Sequence, residues 1–310
     1  MKNTLTKLIS SPKIFSYTVL WMIILVFFGT LAQKDIGLYE SQMRYFSSYF
    51  FLLGGFIPLP GGRLVLLIMT INLAASLFKK NLWKVKKTGI IIVHLGGLLL
   101  LLGGGVTALF SSEGNMVIAE GETSNHVDDY FDMELAFVNT SRDDSLEYTV
   151  FDAPLLNDGN SITYEDFGIQ IDIISHMENV RIESRISPAE KIYKGFLKEF
   201  VLLPLRPEKE ATQNRPGIII KLSGLSSEKD GIYGIFLGQK TPDTFQINGD
   251  LYFTEFRRKR TYLPFSISLL DFEKIMHPGT NVAKSYSSEV NLIENSIPRR
   301  ILIQMNEPLR

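Results

Sequence analysis

The sequence predicts a membrane protein with three N-terminal transmembrane α-helices and a large all-β extracytoplasmic domain, sandwich-like or barrel-like. Three observations carry this prediction. Uncharged apolar stretches of bilayer-crossing length crowd into the first 110 residues. Charge is divided in the same place: residues 1–110 hold eleven Lys/Arg and two acids, Asp35 and Glu40, whereas the remainder holds 21 basic and 31 acidic residues. A half at +9 joined to a half at −10 marks two environments rather than one globule. Beyond Phe110 the pattern changes to short alternating runs typical of strands. The domain boundary therefore falls at 110/111, with a membrane domain over 1–110 and a β-rich domain over 111–310.

The first span covers about 14–33 and follows Lys2, Lys7 and Lys13. A basic flank and an apolar core also describe a cleaved signal peptide, but more apolar segments follow, so the reading is a retained anchor. The second span covers about 60–78, between the Pro60 region and Lys79. The third covers 88–110, TGIIIVHLGGLLLLLGGGVTALF. Between the last two lies KKNLWKVKK, Lys79 to Lys87, with five lysines and no acid. Short basic loops stay cytoplasmic, as does the lysine-bearing N-terminus, so the third helix exits on the far side. Tyr45 to Gly62 is also uncharged, but Gly54-Gly55, Pro58, Pro60 and Gly61-Gly62 break a helix too often for a span. An interfacial helix at about 43–57 is expected there instead.

The second half reads as about ten strands: MVIAEGE, MELAFVNT, SLEYTVFD, FGIQIDIIS, GIIIKLSG, YGIFLGQ, FQINGDLYFTEF, FSISLLDF, SEVNLIEN and RRILIQMN. Asn248-Gly249 is a two-residue hairpin signal. AEKIYKGFLKEFVLLPLRP, residues 189–207, is expected to form a short amphipathic helix against the sheets. There is no cysteine, which excludes disulfides, thiol nucleophiles and Cys-ligated metal.

His94 is the one ionisable residue within the third span. An imidazole at that depth is costly, faces protein or a cavity, and is a candidate site by default. Neutral imidazole is an axial ligand for haem iron; it is equally an interhelical hydrogen-bond donor, typically worth under about 2 kcal/mol. The residues alone leave these two readings open. Gly96, Gly97, Gly103, Gly104 and Gly105 recur at a spacing of about seven and predict close approach of another helix. In the β half the chemistry is sparse. His126, His176 and His277 lie too far apart for a zinc pattern. Asp128, Asp129 and Asp132 lack EF-hand spacing and read as a solvated turn. Arg257-Arg258-Lys259-Arg260 is a basic cluster suited to a propionate or phosphate, though a solvated turn or partner contact is the commoner role. No P-loop, GxGxxG or GxSxG occurs, and nothing resembles a nucleic-acid module.

PFSISLLDFEKIMHPGTNVAKSYSSEVNLIEN, residues 264–295, is similar to the strand–loop–strand signature of the ResB/CcsB family of system II cytochrome c biogenesis proteins. RRILIQMNEPL, residues 299–309, resembles the strand that follows, and VHLGGLLLLLGGG, from Val93, resembles that family's third span. The resemblance implies a subunit of the bacterial inner membrane, multi-pass, with a cytoplasmic N-terminus and the large domain outside. It implies work with a CcsA/ResC-type membrane partner, moving haem b across the membrane for attachment to the CxxCH thiols of apocytochrome c. In that setting His94 is an axial haem ligand opposite a partner histidine. The family's tryptophan-rich motif and outer haem ligands belong to the partner, so this chain is a non-autonomous component of a thioether-forming synthase. Family members continue into a last transmembrane helix, so the resemblance implies a chain that stops short of it. The competing reading is a membrane-anchored β-domain scaffold or sensor without haem.

Overall fold

The computed structural model describes residues 7–79, 83–141, 146–166, 168–307 and 309. Lys2, Lys80 and Arg310, the first residues of two expected strands (Ser145 and Phe167), and Pro308 lie outside the described residues. Contacts divide the chain into two compact units, Met1–Ser111 with Pro207–Gln213, and Ser112–Arg206 with Asn214–Arg310. The excursion at Pro207–Gln213 is absent from the sequence expectation. It is tied to the first unit by Lys209 Nζ, which donates to the Lys34 carbonyl at 2.5 Å.

The first unit is built on three helices, α1 (Pro12–Ile36), α2 (Gly62–Leu77) and α3 (Thr88–Phe110). Ser11 caps α1, its Oγ accepting from Lys13 N, and Pro12 opens the first turn, where a missing N–H costs nothing. The helices ending at Ile36 and Phe110 are long and apolar enough to cross a membrane. The sixteen residues of α2 rise only about 24 Å at 1.5 Å per residue, less than a hydrocarbon core of about 30 Å. A small core joins Leu25 of α1, Val65 of α2 and Phe51, and Trp21 Nε1 donates to the Pro60 carbonyl at 2.9 Å.

The interfacial helix expected at about 43–57 does not form. A one-turn helix at Leu38–Ser41 and a π turn at Gln42–Phe46 lead into a hairpin of β1 (Phe50–Leu53) and β2 (Ile57–Pro60). Gly54 and Gly55 both take positive φ, 64° and 86°, which reverses the chain where a helix would have to continue. Pro58 and Pro60 lack the donors a longer ladder would need.

The second unit is all β, with short 3₁₀ turns. Among the described residues its strands are β3 (Gly114–Asn115), β4 (Thr123–Asn139), β5 (Glu147–Asp152), β6 (Ser161–Tyr164), β7 (Ile169–Met177), β8 (Val180–Ser184), β9 (Phe200–Pro204), β10 (Gly217–Ser223), β11 (Gly231–Phe236), β12 (Thr244–Ile247), β13 (Asp250–Met276), β14 (Ala283–Glu294) and β15 (Ile297–Gln304). A seven-stranded sheet runs β15-β14-β13-β4-β3, with β12 also on β13 and β5 on β4; a four-stranded sheet runs β11-β10-β7-β6. Their facing side chains form the main core, including Leu135, Phe137, Ile171, Ile220, Phe245 and Phe256.

The four-stranded sheet buries one face in the main core and the other only in part, around Ile219, while Gln170, Ile174 and Lys221 stay exposed. In β10, Ile218, Ile220 and Leu222 point into the main core while Ile219 turns the other way. There it meets Val180 and Leu202 of the β8–β9 ribbon, so the domain has three layers. That ribbon is a second departure from expectation: residues 189–207 hold only a 3₁₀ turn at Gly195–Lys198 and then strand β9, not an amphipathic helix. FVLLP is rich in residues that suit a ladder, and β8 supplies one along its whole length. MVIAEGE also forms no strand; it ends in a turn closed by the Glu122 N–H donating to the Ala119 carbonyl, where Gly121 and Glu122 also bond Leu269.

Asn248-Gly249 makes the expected hairpin turn, joining β12 to β13 with φ of 54° and 97° and Ile247 opposite Asp250. The 27-residue β13 merges two expected strands and the basic run between them. Its pairing with β4 slips between Tyr262 and Ile267, where Pro264 has no N–H to give. Past this break β13 also takes β14 as a partner.

Candidate functional site

His94 sits near the N-terminal end of α3, following the 3₁₀ turn Val85–Lys87 with its two lysines. Its Nδ1 lies 2.9 Å from the carbonyl oxygen of Ile90, one turn earlier. A carbonyl only accepts, so this contact is a hydrogen bond when the proton is on Nδ1. In that tautomer Nε2 carries the lone pair, and the ring has no second proton to give to another helix. A neutral imidazole anchored through one nitrogen in this way leaves the other able to accept a hydrogen bond or a metal.

Alongside His94, Ile91, Leu95 and Leu98 of α3 meet Ala74 and Leu77 of α2, with Phe78 and Trp83, around an apolar groove of about 240 Å³. Trp83 Nε1 donates to the Leu77 carbonyl at 2.6 Å, holding the indole at this end of the helices. At 100° per residue, His94 is about 60° around α3 from Gly97 and about 160–180° from Gly96 and Gly103. A methyl added at Gly97 would meet Leu73 of α2 at 3.3 Å; at Gly96, Gly103, Gly104 or Gly105 it would meet nothing within 4 Å. The expected single glycine seam is therefore divided. Only Gly97 among these five approaches a helix of this chain, and it does so on the histidine's side.

Asn72 is a residue that sequence reasoning missed. It is buried on α2, and its Nδ2 donates to the Ile9 and Ser11 carbonyls at 2.5 and 3.0 Å. Lys79 Nζ adds a bond to the Ser10 carbonyl at 2.6 Å. An amide alone in an apolar helix was the available signal.

The β-domain candidates are not brought together. Among the described residues no three His, Asp or Glu groups converge as a metal site. His176 on β7 sits edge-on to Phe256, and burial lowers its pKa. His126 on β4 lies 5.8 Å from the Tyr262 ring; burial first, then Arg260, lowers its pKa. His277 occupies a turn, its N–H donating to the Val282 carbonyl. Asp129 Oδ1 accepts from the N–H groups of Phe131 and Asp132, closing a local turn rather than a calcium loop.

The basic run 257–260 is strand, not a solvated turn, and its charges are already engaged. Arg257 Nε donates to Glu134 at 2.8 Å and Nη1 to Glu255 at 2.9 Å; Arg257 and Glu134 are each only 3% exposed. The Arg257 guanidinium also lies over Tyr148, 4.8 Å from the ring centroid. Arg258 donates to the Phe131 carbonyl, Lys259 pairs with Asp152, and Arg260 pairs with Asp128. Alternation along the strand and one bulge after Arg258 distribute these four cations over several partners, Glu255 being shared by Arg257 and Arg260.

The class is that of a large β-rich domain joined to two apolar helices that could span a membrane, the second bearing His94. Residues 79–182 match the model of the ResB-like family, which supports a ResB/CcsB-family protein. The match begins just after α2, takes in α3 with His94, and ends within β8. Residues 264–295 and 299–309 lie outside it. No curated protein matches the chain.

Proposed function

We propose that this chain is a haem-handling subunit of the system II cytochrome c maturation machinery, with His94 Nε2 offered to the haem iron. The observation that carries the reading is the His94 ring, held to the Ile90 carbonyl through Nδ1, on the stretch of α3 whose Ile91, Leu95 and Leu98 line an apolar groove. The ResB-like match adds a role in cytochrome c biogenesis. The groove supplies apolar wall for a macrocycle, but its volume falls below the range of about 300–1,000 Å³ that encloses a ligand of drug size. It is suited to be half of a site, the other half and the opposing histidine coming from a CcsA/ResC-type partner. Lys84, Lys86 and Lys87 stand at the same end of α3 and suit the haem carboxylates.

In this proposal α2 is a third span, shorter than the others and completed by flanking residues and local bilayer thinning. The lysine loop is cytoplasmic and the β domain extracytoplasmic, at the bacterial inner membrane. The chain helps haem b cross the membrane, and the partner complex joins its vinyl groups to the two CxxCH thiols of apocytochrome c. No catalytic group for that bond formation is assigned to this chain.

The test is the absorption spectrum of the chain co-purified with its CcsA/ResC-type partner. Wild type should carry haem b; His94→Ala should weaken the signal, and exogenous imidazole should restore it. An unchanged spectrum in the variant would remove the ligand assignment and leave the scaffold reading.

A further inference from the structure

Past the Pro264 break, β13, β14 and β15 form a meander whose two faces differ. Strand register places Ile267 opposite Leu292, Leu269 opposite Val290 and Phe272 opposite Ser288 on one face. Val290 opposite Ile301 and Ser288 opposite Ile303 extend that face into β15. The other face carries Asp271, Glu289 and Leu302, with Glu289 paired to Arg300.

On the apolar face lies a groove of about 600 Å³, walled mainly by aliphatic side chains, with Met116, Val117 and Ile118 along one side. Backbone bonds between Leu269 and both Gly121 and Glu122 hold this strap in place, as does Phe272 N–H donating to Glu120 Oε1 at 2.8 Å. Glu120 and Ser288 are the only polar side chains in the wall, and no cation lines it. A carboxylate-bearing ligand would find no counter-charge inside. A neutral hydrocarbon chain needs none.

We infer that this groove and strap rest in the bilayer leaflet where α3 ends, the groove taking a phospholipid acyl chain. Chain length limits the distance: Met116 is six residues past Phe110, a reach of at most about 20 Å. The link between them is short and polar, Ser111 to Asn115, but apolar side chains stand unburied at both of its ends, Leu109 and Phe110 closing α3 and Val117, 87% exposed, in the strap. Such side chains in water are unfavourable, and an apolar patch rimmed by polar groups marks a protein or membrane contact. The rim suits lipid headgroups. Lys274 lies over the Tyr286 ring, which stacks on Phe272, and Arg299 stands opposite Leu292 on the same face, with Glu294 at the turn beyond. Aromatic rings and long cations around an apolar centre are the composition of an interfacial contact. The inference needs α3 in a membrane but does not depend on haem.

The absence of cysteine makes the test direct. Spin labels on Val117→Cys, in the strap, and on Leu302→Cys, 56% exposed on the opposite face, are compared in the full chain. The chain is held in nanodiscs of phosphatidylcholine and phosphatidylglycerol. Collisions with oxygen should exceed those with a water-soluble nickel complex at Val117, and the order should invert at Leu302. An aqueous profile at Val117 overturns the inference. So does a label there sheltered from both reagents, which would indicate a second copy or another protein on this face.

Discussion

His176 on β7 sets its ring at 86° to Phe256 with centroids 5.7 Å apart, and the cost of charging it there follows from the packing. Burial holds its pKa below the ordinary 6.5, with Asp158 and Glu178 pulling weakly the other way. A base with a depressed folded pKa binds its proton more readily when unfolded. Its contribution to stability is therefore fully present above about pH 6.5 and is lost as pH falls below that toward the folded value. His126 acts in the same direction. The Tm of the β domain should fall on acidification from about pH 7 to pH 5.5, and His176→Gln should flatten that dependence in a thermal melt series. Equal slopes for the two proteins would show that this ring does not set the response. At this scale His94 was legible because a lone imidazole in an apolar span is conspicuous. The Ile90 contact that selects a tautomer was not, since it depends on a rotamer.

Between strands, the decisive interaction is the Glu134–Arg257 pair joining β4 to β13 directly across the ladder. Removing one partner strands a buried charge, which typically costs about 3–5 kcal/mol, whereas replacing both with apolar residues is often neutral. Arg257→Ala should lower the urea midpoint of the β domain by an amount corresponding to that cost. Glu134→Leu with Arg257→Met should recover most of it; a double variant as weak as the single one would mean the pair itself is stabilising. Elements with local signals were legible: Asn248-Gly249 encodes its turn through positive φ, and GIIIKLS encodes a strand with apolar side chains on both faces. Residues 43–57 and 189–207 misled because their apolar content was read as helical. Turn glycines decided the first, and an available β8 ladder decided the second.

For the molecule entire, orientation is the property with the largest consequence, because it sets the direction in which anything bound at His94 would travel. A reporter fused after Trp83 should read cytoplasmic and one after Asn139 extracytoplasmic; the reverse would overturn the proposed topology and direction. The sequence by itself determined the division into a basic, apolar half and an acidic β half, the strand-rich character of the second, and the solitary histidine of α3. Those features follow from composition and periodicity, which are summed over many residues and survive any local error. Only the tertiary structure decided that Gly97 alone of the five glycines meets α2, that Asn72 ties α2 to the start of α1, and that the basic run 257–260 spends its charge on partners within the domain. It also decided that Ile91, Leu95 and Leu98 of α3, the neighbours of His94, line an apolar groove with α2. Each of these depends on which residues distant in the chain arrive at one place, and that is settled by packing and register rather than by any local pattern.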